Sequence, residues 1–193
     1  MADTSEAERE ALSAYKSAAD DAAGQSRCFA LNRQLEHGLV REDLGTLGDM
    51  AMTLDGIFDR CPRLSAPLTV YRAIGLRLHY PVSVPGARFR NLSYWSTSVE
   101  RRVAIDFLKG DMQDARGALF RLELPTGLPA YNLEMVEGAG GHEMELLLPR
   151  GVLWTVGTLA RFDKDAELLP HVAKKFANIV EVALTASVDW RPR

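Results

Sequence analysis

The sequence predicts an α+β fold in which helices come first and a mostly antiparallel β-core follows. Residues 5–60 are rich in Ala and Leu and poor in β-branched residues, as is typical of helices. After two closely spaced prolines, Pro62 and Pro67, the hydrophobic pattern changes to the alternation of β-strands. Because helices and strands fall in separate runs, the chain is assigned to the α+β class.

Glycines divide the helical region into about three helices, with breaks at Gly24, at Gly38 and at residues 45–48. We expect residues 1–64 to form a helical N-terminal part packed on the core. Residues 65–193 are expected to form the core itself, and the whole chain one compact domain.

The sequence after residue 64 predicts strands separated by turns. Strands are expected at residues 68–74, 118–124, 130–133, 143–148, 152–158 and 178–187, with a strand-and-turn region at 78–89 and a short helix at 166–176. A further strand ends at Ser96, Thr97 and Ser98. Ser98 is predicted to be the N-cap of a helix that ends near Gly110.

Composition excludes several classes of function. The net charge is -3, and the Lys and Arg residues are scattered, whereas a nucleic-acid groove needs a basic stripe. No apolar run is long enough for a membrane span, and the polar, acidic N-terminus is unlike a Sec-type export signal. Cys28 and Cys61 lack metal-site spacing and are predicted to be reduced structural thiols, so no metal is expected.

An arginine lies on the apolar face of the first predicted strand. Strand alternation puts Val70, Arg72 and Ile74 on one side of the sheet. Because a guanidinium stays charged and is costly to bury alone, Arg72 needs a carboxylate partner or a bound anion. From this residue alone, an internal ion pair and an anion site are about equally good interpretations.

Two acids, Glu143 and Glu145, lead into an apolar run. In a β-strand both would point to the same side, with Met144 on the other. A glycine-rich stretch at residues 138–141 precedes them and can approach a ligand closely. An exposed strand face is the commoner explanation of such a pair, but the upstream residues favour a site.

Arg72, the strand end Ser96-Thr97-Ser98 and the acidic segment from Glu143 follow one another in a set order. This order resembles the Arg, Ser-Thr-Ser, Glu-x-Glu pattern of mono-ADP-ribosyltransferases of the bacterial exotoxin and effector type. The resemblance covers roughly residues 67–187 and is strongest at 127–151. It implies two packed β-sheets with an NAD-binding cleft between them and helices in front.

The resemblance implies three catalytic residues. Glu145 corresponds to the catalytic glutamate, whose carboxylate would stabilise the oxocarbenium-like centre formed when nicotinamide leaves the ribose. Ser96 corresponds to the serine that holds this glutamate and the nicotinamide-side ribose. Glu143 corresponds to the upstream acid of the arginine-modifying branch, which would orient an acceptor guanidinium and take its proton.

The resemblance also implies the residues that bind NAD. Arg72, with its neighbour Ala73, corresponds to the arginine that holds the NAD phosphates, and Ser96 contributes here as well. Thr97 and Ser98 support the strand end. Phe107 lies where the family carries an aromatic residue near the nicotinamide, although it also fits the apolar face of its own helix.

The expected partners are NAD as substrate and a target protein, with no nucleic acid and no membrane. Arginine is the first choice of acceptor, while threonine or another side chain stays open. Hydrolysis of NAD by water and a non-catalytic binding module are the alternatives to transfer. By resemblance, the protein would be a secreted or injected toxin, a virulence effector acting in the cytoplasm of a target cell, with an immunity or chaperone protein as a further partner.

Overall fold

A computed structural model of the chain describes residues 4–16, 26–75, 80–109, 116–135, 144–169, 173–174, 176 and 178–190. The helices are α1 (Glu6–Lys16), α2 (Arg27–Glu36), α3 (Thr46–Arg60), α4 (Arg101–Asp106) and α5 (Lys164–Glu167). The strands are β1 (Leu68–Gly75), β2 (Arg88–Arg90), β3 (Trp95–Ser98), β4 (Arg116–Leu124), β5 (Tyr131–Asn132), β6 (Glu145–Leu148), β7 (Leu153–Arg161) and β8 (Asn178–Ala186). The predicted α+β class, with helices before strands, is confirmed.

The three N-terminal helices pack on the β-core through one apolar cluster. In α3, Leu54, Ile57 and Phe58 are buried because they recur at helical spacing on one face. The helix ends at Arg60, and the extended backbone of the following Cys61 suits the residue before a proline. Tyr94 belongs to the same cluster, so the helices cover the start of β3. Among the described residues, no helix is long and apolar enough to cross a membrane.

All eight strands form one hydrogen-bonded sheet in the order β2-β7-β8-β4-β1-β3-β6-β5. Neighbouring strands are antiparallel except for β4 and β8. The two packed sheets that the resemblance implies are one continuous sheet here, because β1 and β3 are linked through the pair Tyr71 and Ser98. Because β1 and β3 share so short a contact, the sheet divides there into two layers. One layer has the five strands from β2 to β1 in the order above, and the other has β3, β6 and β5.

The main core lies between these two layers. It combines Val70 of β1 and Phe120 of β4 with Trp95 of β3 and Leu148 of β6, all buried. Trp95 stacks on Trp154 with ring centroids 5.1 Å apart, a contact worth about 0.5–1.5 kcal/mol beyond its buried area. This packing fixes β3 against β1 and so sets where the polar ends of both strands lie.

Several predicted boundaries differ from the structure. Strand β6 begins at Glu145 rather than at residue 143, since Met144 has φ 46° and cannot continue a pleated strand. Helix α4 begins after Glu100, so Ser98 is not its N-cap; the Ser98 hydroxyl instead accepts the Glu100 N–H at 3.0 Å. Of the helix predicted at 166–176, α5 covers Lys164–Glu167 and Ala173 is again helical, while residues 170–172 and 175 lie outside the described residues. The glycine-rich stretch at 138–141 lies outside the described residues.

Candidate active site

Glu145 is the first residue of β6 and is 8% exposed. The antiparallel ladder pairs it with Ser98, so it lies on the same face of the sheet as Ser96, two residues away on β3. The Ser96 hydroxyl donates a hydrogen bond to Glu145 Oε1. This bond fixes the rotamer of the carboxylate and leaves its negative charge intact, since a hydroxyl is neutral.

Arg72 reaches the same place from β1. Its Nη1 donates to the Ser96 carbonyl oxygen at 2.6 Å, and its guanidinium carbon lies 5.8 Å from the centre of the Trp95 ring. Its Nε is fully shielded from solvent and has no hydrogen-bond partner among the described residues. Burial lowers the pKa of Arg72, and the nearby carboxylates of Glu36 and Glu145 only partly oppose that effect. The guanidinium thus retains one donor, Nε, that no described residue uses.

The fold explains how residues 24 and 49 positions apart along the chain come together. Strand β3 touches β1 through the Tyr71–Ser98 pair on one edge and β6 through four pairs on the other. The corner between the two layers therefore carries the Ser96 hydroxyl, with Arg72 on one side and Glu145 on the other.

Lys16, at the end of α1, is a further charged residue, and it lies beside Glu145. Its ammonium lies 3.7 Å from Glu145 Oε2, and the side chain is 7% exposed. The ammonium makes no hydrogen bond to any described residue. Lys16 Nζ and Arg72 Nε are the two buried side-chain nitrogen or oxygen atoms without a hydrogen-bond partner in the described part of the chain, and both belong to cations beside Ser96 and Glu145.

The helices are held over the site by a polar network. Tyr15 donates from its hydroxyl to the Tyr94 carbonyl at 3.3 Å and accepts from Asn32 Nδ2 at 2.8 Å, while Asn32 Oδ1 accepts the Tyr94 N–H at 3.2 Å. Burial raises the pKa of Tyr15, so it stays a neutral donor. Because Lys16 follows Tyr15, this network determines where the ammonium lies.

A second carboxylate, that of Glu36, lies near Arg72. Glu36, at the end of α2, accepts hydrogen bonds from the Tyr80 hydroxyl at 2.6 Å and from the Ser93 hydroxyl. Tyr80 also accepts the Leu92 N–H at 3.2 Å. The charge of Glu36 opposes part of the lowering that burial causes in the Arg72 pKa, and Glu36 makes no hydrogen bond to the guanidinium, so Nε stays without a partner among the described residues.

Solved structures that resemble this one are bacterial ADP-ribosyltransferases. Plx2a, a toxin from Paenibacillus larvae, aligns with a TM-score of 0.67 at 15% identity, over 95% of this chain and 87% of Plx2a. Exoenzyme S from Pseudomonas aeruginosa, in complex with human 14-3-3 protein beta and Carba-NAD, aligns with a TM-score of 0.67 at 15% identity, over 95% and 74%. The chain has the fold of the bacterial ADP-ribosyltransferase toxins.

A third solved structure with this ADP-ribosyltransferase fold is Vis from Vibrio splendidus, in complex with agmatine. It aligns with a TM-score of 0.66 at 15% identity, over 96% of this chain and 76% of Vis. The sequence itself matches no protein-family model and no curated protein.

Of the other predicted binding residues, Thr97 holds two strands together, Ala73 is partly buried and Phe107 is exposed. Thr97 is buried and donates from its hydroxyl to the Leu146 carbonyl at 2.8 Å, which fastens β3 to β6. Ala73 is partly buried beside the apolar cluster that covers the other face of β1. Phe107 is 52% exposed just after α4, so the alternative that it packs in the core is wrong, and its predicted role near the nicotinamide stays open.

The predicted partner acid Glu143 lies outside the described residues. Its neighbour Met144 is described, and the left-handed backbone there shows that the two acids are not joined by a continuous strand. Lys16, Asn32 and Glu36 also lie near the site, and no sequence pattern marks them as site residues. Each lies on an ordinary amphipathic helix, and only the packing of that helix on β3 brings it near the site.

Proposed function

We propose that the chain is an NAD-dependent mono-ADP-ribosyltransferase of the Arg, Ser-Thr-Ser, Glu-x-Glu class. The observation that carries this proposal is the convergence of a serine-held carboxylate with two buried cations that have unused hydrogen-bond donors. NAD presents the matching groups, a ribose that becomes positive as nicotinamide leaves and a diphosphate with two negative charges. The resemblance of the fold to Exoenzyme S, which was solved with Carba-NAD, supports the same substrate.

Glu145 is the catalytic group in this proposal. Its carboxylate accepts a hydrogen bond from the ribose 2′-hydroxyl and faces the carbon whose bond to nicotinamide breaks. Nicotinamide leaves with the bonding electron pair, and the positive charge left on the ribose is stabilised by the carboxylate. Ser96 keeps the carboxylate in place, so little rearrangement is needed as that charge develops.

Arg72 and Lys16 provide the positive charge for the diphosphate. A guanidinium makes charge-assisted hydrogen bonds to phosphate oxygens, and Arg72 Nε is the donor that no described residue uses. The Lys16 side chain has four methylenes, so its ammonium can turn from Glu145 toward a phosphate when NAD binds. That movement would free Glu145 for the ribose hydroxyl.

Arginine is the acceptor that we propose. An acceptor guanidinium is protonated in water, so a base must take its proton before its nitrogen attacks the ribose carbon, and Glu143 is the proposed base. Agmatine, with which Vis was solved, ends in the same guanidinium, which makes it a suitable small acceptor for assays. If no acceptor is present, water can take its place and the enzyme acts as an NAD glycohydrolase.

We further propose that the protein is a secreted or injected toxin or virulence effector acting in the cytoplasm of a target cell. This role rests on the resemblance to bacterial toxins such as Plx2a. Residues 65–193 are the proposed catalytic core and residues 1–64 the helical part that covers it. A target protein carrying the acceptor side chain is the proposed macromolecular partner, together with an immunity or chaperone protein in the producing cell.

Incubating the protein with NAD and agmatine tests the proposal. Chromatography should show release of nicotinamide and formation of ADP-ribosylated agmatine. Glu145→Gln should abolish both products, since an amide carries no charge, while its circular dichroism spectrum stays that of the wild type. Mass spectrometry of a lysate treated in the same way would identify the acceptor residue and the target. Intact NAD after incubation with folded wild-type protein would overturn the proposal.

A further inference from the structure

The hairpin that carries Glu145 is closed by a side chain. Strands β5 and β6 pair Tyr131 with Leu147 and Asn132 with Leu146, so a continued register would pair Leu133 with Glu145 and then Glu134 with Met144. No strand continues there, because residues 133–135 form a 3-10 turn. Instead the Glu134 carboxylate accepts the N–H of Met144. The Glu134 side chain thus accepts a backbone hydrogen bond beyond the end of the β5–β6 ladder.

Glu134 is itself well placed for this contact. Its own N–H donates to Asn132 Oδ1 at 2.9 Å, and the intervening Leu133 is fully buried in the cluster under the helices. These two contacts anchor the short turn that carries Glu134. The carboxylate remains on the exposed side and is directed to Met144.

Met144 is held in a conformation that it would not adopt freely. Within the described residues it is the non-glycine residue with positive φ, at 46°. A left-handed backbone is unfavourable for a residue with a Cβ and persists where surrounding contacts enforce it. Met144 has such a contact on each side: its N–H donates to Glu134, and its carbonyl accepts the Val99 N–H at 3.4 Å.

Glu145 is positioned independently of this clamp, which we define as Glu134, Met144 and Val99. The Ser96 hydroxyl and the ladder to β3 hold Glu145 from the other side. Losing the clamp should therefore leave the carboxylate that cleaves NAD in place. It should change the direction of the chain just before Glu145, where the proposed base Glu143 precedes Met144 in the sequence.

We propose that Glu134 is a positioning residue that favours transfer of ADP-ribose over hydrolysis by fixing the Met144 peptide. The inference rests on the proposed function, because it concerns how one active site divides its product between two acceptors. Glu134 acts through the backbone and touches neither NAD nor acceptor. Its side chain is exposed, so its removal is not expected to unfold the protein.

The test compares Glu134→Ala with Glu134→Gln. For each variant, nicotinamide release without acceptor and labelling of agmatine or of lysate proteins from labelled NAD are measured, using an acceptor that the wild type modifies. Glu134→Ala should lower transfer about tenfold or more and leave hydrolysis within about twofold, since one hydrogen bond to a charged group is lost. Glu134→Gln should recover most transfer, because its amide oxygen can still accept the Met144 N–H. Glu42→Ala removes the same charge from another exposed site and is the matched control.

Equal losses of hydrolysis and transfer in Glu134→Ala would overturn the inference, since Glu134 would then support the whole site. Unchanged transfer would overturn it too, as would a loss in Glu134→Gln equal to that in Glu134→Ala. A loss seen with protein acceptors while agmatine is modified normally would make Glu134 a target-contact residue instead. Failure of the proposed function is separate: there the wild type itself would release no nicotinamide or modify no acceptor.

Discussion

Replacing Lys16 with methionine tests whether the ammonium beside Glu145 serves NAD binding. Methionine has a similar length and suits a site where the side chain is 7% exposed. Two unit charges 3.7 Å apart attract each other by about 4.5 kcal/mol at an effective dielectric constant of about 20. Because the ammonium has no hydrogen bond to a described residue, much of this attraction only offsets its lost hydration. The Lys16 ammonium therefore gains interaction free energy when it moves to a ligand that accepts its hydrogen bonds.

The size of the expected effect follows from that movement. A hydrogen bond between charged groups contributes a net of about 1.5–3 kcal/mol, so without Lys16 the Kd and KM for NAD should rise roughly 10- to 100-fold. The kcat for nicotinamide release should change by less than about threefold, since Ser96 still holds Glu145. The assay is nicotinamide release over a range of NAD concentrations, with calorimetric titration of NAD for Kd. Arg9→Met, on the exposed side of the same helix, is the control for loss of one positive charge.

The opposite pattern would refute this reasoning. If kcat rises and KM stays the same, Lys16 does not reach the diphosphate. A cation that stayed beside Glu145 would oppose the positive charge on the ribose, and its removal would speed cleavage. Lys16 would then be a residue that restrains Glu145 in the free protein.

Three further changes have defined outcomes. Ser96→Ala should lower the kcat for nicotinamide release about 10- to 100-fold, because Glu145 loses a hydrogen bond to its charged form; an unchanged kcat would show that β6 alone orients it. Arg72→Lys should weaken NAD binding about tenfold in calorimetric titration, since an ammonium cannot use the fork that bonds the Ser96 carbonyl and a phosphate together; wild-type affinity would return Arg72 to a structural role. Asp55→Ala should lower the free energy of unfolding by about 3 kcal/mol in a urea titration, because it leaves the largely buried Arg150 guanidinium without its bidentate partner, while the folded fraction still cleaves NAD. A loss below about 1 kcal/mol would mean that water replaces that pair.

The residues that could be found from the sequence are those that break a local pattern. Arg72 stands between the apolar Val70 and Ile74, and a charge on such a face needs an explanation wherever the strand packs. Ser96 was visible as a hydroxyl at a strand end. That Ser96 rather than Ser98 bonds Glu145 depends on the register of β3 and β6, which is set by non-local pairing and cannot be deduced from either strand alone.

The place of Lys16 in the site cannot be predicted from local sequence patterns. A lysine in the last turn of a helix is ordinary, because it complements the helix dipole, and nothing around it in the sequence suggests a site. It reaches Glu145 because Tyr15, the residue before it, is bonded to the Tyr94 carbonyl and to Asn32. The two helices pack on β3 through contacts between distant parts of the sequence. The position of Lys16 depends on those contacts and cannot be deduced from its own helix.

Strand alternation predicts that Glu143 and Glu145 point to the same side, and that prediction requires an unbroken strand. Met144 breaks the strand, since its φ of 46° turns the chain just before Glu145. The turn is held by Glu134, ten residues earlier, which a continued register of β5 and β6 would have placed opposite Met144. The side on which the chain reaches Glu145 therefore depends on a contact between two segments, and the spacing Glu-x-Glu does not encode it. Proteins with the same two acids but another residue at the position of Glu134 should then differ in how they divide NAD between water and a protein acceptor.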